Sequence, residues 1–200
     1  MITSLPILPR SKNYCHIIQQ GQYAIIFDPG EAEPIIKWIK QHNLIITHIL
    51  ITHHHWDHIG GHAELLAGHP DLEVIGSTYD LENGRVPGQT RGLEDGEQIT
   101  LGAHTAVALH VPAHTLGHVA YYLEGAKALF CGDTLFGGGC GRLFEGTPAQ
   151  MHRALNEVLG TLPADTRVFC GHEYTESNLR FALHVDGDNQ AVVDRMKRVQ

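Results

Sequence analysis

The chain has 200 residues, which at roughly 100–200 residues per domain allows one domain and at most a small appendage. Hydrophobic residues make up 42% and charged residues 18%, enough apolar material for a core, so a disordered chain is excluded. Lys and Arg number 14 against 22 Asp and Glu, and the resulting charge of −8 is opposite in sign to the basic excess that proteins use to neutralise nucleic-acid phosphates.

Tyr14 to Gln19 and Tyr23 to Phe27 are predicted strands, and the second runs into the turn signal Asp28-Pro29-Gly30. Glu33 to His42 reads as a helix with Ile35, Ile36 and Ile39 on one face. Leu44 to Thr52, rich in Ile and Thr, reads as a buried strand. A short helix over Ala63 to Ala67 and a strand over Leu72 to Gly76 follow, and then a Gly-rich loop from Gly84 to Gly96. Ile99 to Leu101, Ala106 to Val111, Val119 to Leu123 and Ala128 to Cys131 are strands again. Gly137 to Gly141 places four glycines around Cys140, a loop whose backbone must pass close to something or take positive φ. Thr147 caps a helix that opens at Pro148 and runs to about Leu159. Arg167 to Cys170 is a last strand, and Glu176 to His184 and Gln190 to Val199 are helical. Strands interleaved with and followed by helices indicate a layered α/β arrangement.

No apolar run approaches the roughly 18–20 residues that span a bilayer, so no membrane association is expected. Met1 to Arg10, with two prolines, does not read as a signal peptide. Cysteines at 15, 131, 140 and 170 form no CxxC pair, which points to a reducing compartment, the cytoplasm. Cys131 and Cys170 read as small buried residues, not nucleophiles.

Histidine is the outlier, at 16 residues, and it is the commonest metal ligand among side chains. Thr52-His53-His54-His55-Trp56-Asp57-His58 follows directly on a strand. Extended backbone alternates its faces, so His53 and His55 point one way and His54 the other. His53, His55, Asp57 and His58 could reach two adjacent metal ions, two ligands to each, and nitrogen with carboxylate oxygen suits zinc, iron or manganese. Packing that cluster without a metal would strand polar groups or like charges. His114, Asp133 and His172 each lie just beyond a short apolar strand, where a rigid sheet fixes the loop. Four strands could thus deliver seven ligands to one edge. His118 suits a hydrogen-bonding role beside them, and Asp28 reads either as a turn residue or as a support for the site. The remaining histidines, including His16, His54 and His62, read as surface or satisfied core residues.

The His-x-His-x-Asp-His run at 53–58, with His114, Asp133 and His172, resembles the metallo-β-lactamase superfamily. Cys131-Gly132-Asp133-Thr134-Leu135-Phe136, Gly139-Cys140-Gly141-Arg142-Leu143-Phe144-Glu145-Gly146-Thr147 and Gly171-His172-Glu173-Tyr174-Thr175 are similar, more narrowly, to the glyoxalase II (hydroxyacylglutathione hydrolase) family, from about Tyr14 to Ala182. The resemblance implies a four-layer αββα sandwich with a dinuclear site between the sheets. It implies a catalytic domain over residues 1–174 and a short or truncated C-terminal helical segment over 175–200. It places His53, His55 and His114 on one metal, Asp57, His58 and His172 on the other, and Asp133 between them. It maps the glutathione contacts to Arg142, Phe144 and Tyr174. Members usually continue into a longer helical tail whose basic residues bind the glutathione carboxylate; this chain stops at Gln200, and Lys197 and Arg198 do not match that motif. The expectation is a shortened variant or a fragment.

The implied reaction is hydrolysis of S-D-lactoylglutathione, or another 2-hydroxyacyl glutathione thioester, by a hydroxide held between two divalent cations, zinc first among them. Metal binding can lower a water's pKa to about 7, and two cations about 3.5–4 Å apart can hold the hydroxide between them. Asp57 and Asp133 are the expected catalytic carboxylates, Asp57 also as acceptor for the hydroxide's hydrogen. Alternatives on the same scaffold are a mononuclear iron persulfide dioxygenase, a lactonase or other hydrolase, and a metal-binding protein with little turnover. The small-molecule thioester is the expected partner, and the oligomeric state is left open.

Overall fold

The structure is a computed structural model that describes residues 1–199. Six strands form the first sheet, in chain order across its width: β1 (Ile2–Ile7), β2 (Asn13–Gln20), β3 (Tyr23–Phe27), β4 (Ile45–Leu50), β5 (Glu73–Ser77) and β6 (Arg91–Leu93). β1, β2 and β3 pair antiparallel, and β3 through β6 pair parallel. The second sheet begins with an antiparallel meander of β7 (Gln98–Leu101), β8 (His104–His110), β9 (Val119–Leu123) and β10 (Ala128–Gly132). The chain then makes a small ribbon, β11 (Leu135–Phe136) with β12 (Gly139–Cys140), and returns as β13 (Arg167–Cys170), parallel to β10 at the sheet edge.

Period-two alternation sorts the side chains into three apolar layers. In β3, Ile25 and Phe27 face the second sheet, while Ala24 and Ile26 face outward. In β9, Val119, Tyr121 and Leu123 face the first sheet, while Ala120 and Tyr122 face outward, so every residue of the strand is buried. Helices cover the outer faces. α1 (Ala32–Gln41) buries Ala32, Ile35 and Ile39 at helical spacing. It stops where Asn43 takes φ 52°, a left-handed conformation that asparagine tolerates. After the single turn α2 (Trp56–Ile59), α3 (His62–Gly68) adds Leu65 to the same outer layer, and α4 (Thr78–Glu82) follows β5. On the other side, α5 (Pro148–Arg153) runs into a π-helical stretch over Ala154–Val158, and Ala154 and Leu159 seal the outer face of the second sheet. Thr147 caps α5 with Pro148 at its first turn, as the sequence predicts, and Gln150 completes a reciprocal capping box with Thr147. α6 (Thr175–Val185) and α7 (Gln190–Val199) complete an αββα sandwich.

The structure departs from the sequence reading in three places. β1 was not foreseen, because a run with Pro6 lacks a strand signature; it survives as an edge strand on β2. α4 and β6 fall in or beside the segment read as loop; β6 is only three residues long and is held by parallel pairing to β5. The glycine loop at 137–141 contains the β11–β12 turn, with Gly138 at φ 72°.

Inside the sandwich, Phe27 stacks on Phe130 at 4.0 Å between ring centroids and meets Tyr121 edge-on at 5.8 Å, joining the sheets through aromatic contact. Truncating Phe27 to Ala is expected to lower unfolding free energy by about 3–5 kcal/mol, through lost transfer energy and the residual cavity. Urea unfolding of metal-free wild type and variant checks this; a loss under about 1 kcal/mol would mean that this stack does not hold the sheets together.

Candidate metal centre

The ends of four strands open onto one edge of the sandwich. After β4 the chain passes through Thr52 to His53 and His55, and α2 turns Asp57 and His58 inward. His114 follows β8, Asp133 follows β10 and His172 follows β13. All seven converge. His55 Nδ1 lies 3.1 Å from His53 Nε2 and 3.0 Å from His114 Nε2. Asp133 Oδ1 is 3.3 Å from His58 Nε2, and its Oδ2 is 3.1 Å from His172 Nε2 and 3.6 Å from His114 Nε2. Asp57 Oδ2 is 3.5 Å from His172 Nε2. Three donor sets have their atoms mutually within 4.8 Å: His53, His55 and His114; His53, His58 and Asp133; and Asp57, His58 and His172.

The outward sides of the rings fix their tautomers. Thr52 Oγ1 donates to Asp28 Oδ2 at 2.7 Å, so His53 Nδ1 must be the donor in its 3.1 Å bond to Thr52 Oγ1. His114 Nδ1 donates to the Arg142 carbonyl at 2.7 Å and His172 Nδ1 to the Ser11 carbonyl at 2.8 Å. A neutral imidazole that donates through Nδ1 presents a bare Nε2, and all three Nε2 atoms point into the cluster. Asp28 also accepts from the Thr52 amide at 2.7 Å and from His58 Nδ1 at 3.0 Å. Asn13 Nδ2 donates to Asp57 Oδ2 and to the Asp57 carbonyl, both at 3.1 Å. Burial pushes His53 well below the usual imidazole range, and the neighbouring His58 adds to this; burial and then His114 bring His55 down to about 4. Burial lowers His114 as well.

His58 is the exception. Burial opposes its protonation, but Asp133 and Asp28 on either side outweigh it and raise the ring well above the usual imidazole range. The Asp133 carboxyl, which burial alone would raise, is carried well below the carboxylate range by His58 and His172. Yet His58 Nε2 and Asp133 Oδ1, although 3.3 Å apart, are misaligned, and neither has a hydrogen-bond partner among the described residues. Two orphaned polar atoms in a buried cluster are costly unless a further group sits between them. A divalent cation fits that place: bare imidazole nitrogens and carboxylate oxygens are its ordinary donors, and it would replace the His58 proton.

Two glycines let this edge close. Gly132 takes φ 47°, and a Cβ there would meet Thr52 Oγ1 at 2.3 Å. A Cβ on Gly171 would lie 2.3 Å from Asp133 Oδ1. His118 accepts from the Asp133 amide at Nε2 (3.1 Å) and stacks on His53, the hydrogen-bonding role read from the sequence. His16 is a satisfied core residue, bonded to Ser4 and to the Cys170 carbonyl. Asn13, Thr52 and the Ser11 and Arg142 carbonyls were not foreseen. Backbone carbonyls leave no residue-type signal, and Asn13 stands in no motif.

Beside the cluster opens a cleft of about 580 Å³ whose walls include Trp56, Phe136, Arg142, Phe144 and Tyr174. Phe144 packs its edge on His55 and His114, each at 5.3 Å, and carries the Arg142 guanidinium 5.6 Å above its ring. Tyr174 stacks on His172 at 4.7 Å. Phe144 is 58% exposed and so leaves one side of its ring open to the cleft.

Residues 8–172 match the family model of the metallo-beta-lactamase superfamily, and residues 173–200 match that of the hydroxyacylglutathione hydrolase C-terminus. A hydroxyacylglutathione hydrolase from Synechococcus sp. (strain JA-3-3Ab) is 48% identical over 200 residues, covering 99% of this chain and 77% of its own length. The hydrolase of that name from Photobacterium profundum is 47% identical, over 94% of this chain and 73% of its own. Among solved structures, the BLEG-1 B3 metallo-beta-lactamase superposes with a TM-score of 0.78 at 28% identity, covering 86% of this chain and 92% of its own. TTHA1623, in a di-iron-bound form, superposes with a TM-score of 0.73 at 31% identity and the same two coverages.

Replacing Asp28 with Ala is expected to weaken metal affinity by about 10–100-fold, because His58 loses the group that orients it and His53 loses the same support through Thr52. Competition titration against a chromogenic chelator measures this. Wild-type affinity in a folded Asp28→Ala variant would show that the ring tautomers are set without it.

Proposed function

Because the chain belongs to the hydroxyacylglutathione hydrolases of the metallo-β-lactamase superfamily, we propose that it hydrolyses 2-hydroxyacyl thioesters of glutathione, S-D-lactoylglutathione first among them. One observation carries the reading: seven donors meet at the floor of a cleft whose wall holds a cationic and four aromatic side chains. His53, His55 and His114 would hold one divalent cation and Asp57, His58 and His172 a second, with Asp133 reaching both. Zinc is the cation we propose. The same donors suit iron and manganese, and the related TTHA1623 structure is a di-iron form.

Bound there, the cations would supply the positive charge that ionises water near neutral pH and polarises a carbonyl. The chain's own groups do the rest. Asp133, kept ionised beside His58 and His172, turns Oδ1 toward His58 and Oδ2 toward both His172 and His114, and so faces both halves of the centre. Asp57 Oδ2, steadied by Asn13, is placed to accept a hydrogen from the attacking water. Arg142 suits a glutathione carboxylate, and Phe144 and Tyr174 offer flat faces to its peptide portion. As the carbon–oxygen bond forms, the carbon–sulfur bond breaks and the thiolate departs. A thiol has a pKa near 8.5, so no general acid is needed. No helix among the described residues is long and apolar enough to cross a membrane. All four cysteines are free, which supports a cytoplasmic setting for the enzyme.

The test is steady-state hydrolysis of S-D-lactoylglutathione against a simple thioester without glutathione, with metal analysis of the same sample. Two cations per chain and preference for the glutathione substrate are expected. One iron per chain with oxygen uptake on glutathione persulfide would replace this reading with a dioxygenase. Asp133→Ala should lower kcat by about 100-fold or more and reduce bound metal; undiminished turnover would remove it from the centre. Arg142→Ala and Phe144→Ala should each raise KM by roughly 3–30-fold with kcat less affected, and unchanged KM values would take the glutathione moiety away from this wall.

A further inference from the structure

Residues 141–147, between β12 and α5, form no regular element, yet they carry Arg142 and Phe144 into the cleft. Their position therefore rests on bonds to other parts of the chain. Four go to the segment after β8: the Arg142 carbonyl accepts from His114 Nδ1 at 2.7 Å, the Phe144 amide donates to the His114 carbonyl at 3.3 Å, the Gly146 amide donates to the Ala113 carbonyl at 2.9 Å, and Glu145 Oε2 accepts from the Leu116 amide at 2.7 Å. All four stay on the second sheet's side of the cleft.

Arg85 supplies the link to the other side. It follows α4, its amide donates to the Asp80 carbonyl at 2.9 Å, and its guanidinium lies 5.8 Å over the Tyr79 ring. Nη1 donates to Glu145 Oε2 at 2.9 Å and Nη2 donates to Glu145 Oε1, a two-pronged grip on one carboxylate. Nη2 also donates to His54 Nε2 at 2.9 Å. His54 is the side chain of the 53–58 run that faces away from the candidate cations. The two charged side chains are 22% and 23% exposed, so water screens the pair only in part. The Arg85 grip holds the Glu145 carboxyl down at about 2 against burial, with the Leu116 amide contributing.

We propose that Arg85 is a positioning residue for the glutathione thioester: by gripping Glu145 while touching His54, it sets the spacing between the loop that carries Arg142 and Phe144 and the segment that carries His53 and His55. The proposal rests on the functional reading above. Arg85 does not line the cleft, so its removal acts on where the substrate's glutathione portion lies and leaves the floor intact. The planar fork matters, because a lysine ammonium is a point charge that cannot hold both carboxylate oxygens in one plane.

The experiment compares wild type, Arg85→Ala and Arg85→Lys as metal-loaded enzymes. It uses S-D-lactoylglutathione and a small thioester lacking glutathione, with metal content and amide hydrogen exchange measured on the same proteins. Arg85→Ala is expected to raise KM for the glutathione thioester about tenfold with kcat within about threefold of wild type. Metal content and KM for the small thioester stay at wild-type values, and Arg85→Lys falls between. The Phe144 and Gly146 amides are expected to exchange faster. Unchanged KM and unchanged exchange overturn the proposal, as does an equal loss on both substrates with reduced metal, which marks a general structural lesion. Should wild type show no preference for the glutathione substrate, the functional reading fails, and amide exchange alone then decides the grip. Should Arg85→Ala not fold, Arg85→Lys and Glu145→Gln carry the comparison, and wild-type behaviour in both overturns it.

Discussion

The Asp28 carboxylate is the constraint on which this edge of the molecule depends. It is buried, it stands at a left-handed turn at the end of β3, and it accepts from the Thr52 amide, the Thr52 hydroxyl and the His58 ring. Those bonds tie the start and the end of the 52–58 segment to one point. An imidazole gripped in this way cannot turn its other nitrogen toward water. The run of histidines therefore becomes a rigid row of donors, where a free loop would be four flexible side chains.

Sheet geometry does the remaining assembly. β3 and β4 pair in parallel, as do β10 and β13, so the chain leaves each pair at the same edge. The amide of Val119 on β9 donates to the Thr52 carbonyl at 2.9 Å, and the Tyr14 amide on β2 donates to the Gly171 carbonyl at 2.8 Å. Backbone bonds of this kind stitch the two sheets where the donors emerge. Residues more than 100 positions apart in sequence, such as His53 and His172, are thereby brought within one cluster. The apolar layer beneath, with Phe27, Tyr121 and Phe130 at its middle, keeps the sheets at a fixed separation.

Much of this was legible in the sequence because the relevant features are local. Short runs of strand-forming residues gave β2, β3 and β9, the Thr147-Pro148 pair gave the start of α5, and four donors within six residues announced the centre. What escaped the reading is non-local. β1 exists because β2 offers it an edge, and β6 because β5 does. The outer hydrogen bonds of the site escaped for a related reason. The Ser11 and Arg142 carbonyls belong to every residue type alike, and the Asn13 amide reaches Asp57 across 44 positions. Asp28 looked like a turn residue and is one; its second role is visible only once Thr52 and His58 stand beside it.

The bond from His114 to the Arg142 carbonyl separates two kinds of variation. The imidazole is oriented by a peptide oxygen, which any residue at position 142 supplies equally well. The side chain at the same position faces the cleft. Exchanges at 142, and at Phe144 two residues on, therefore reshape the cleft wall while the histidine keeps its orientation.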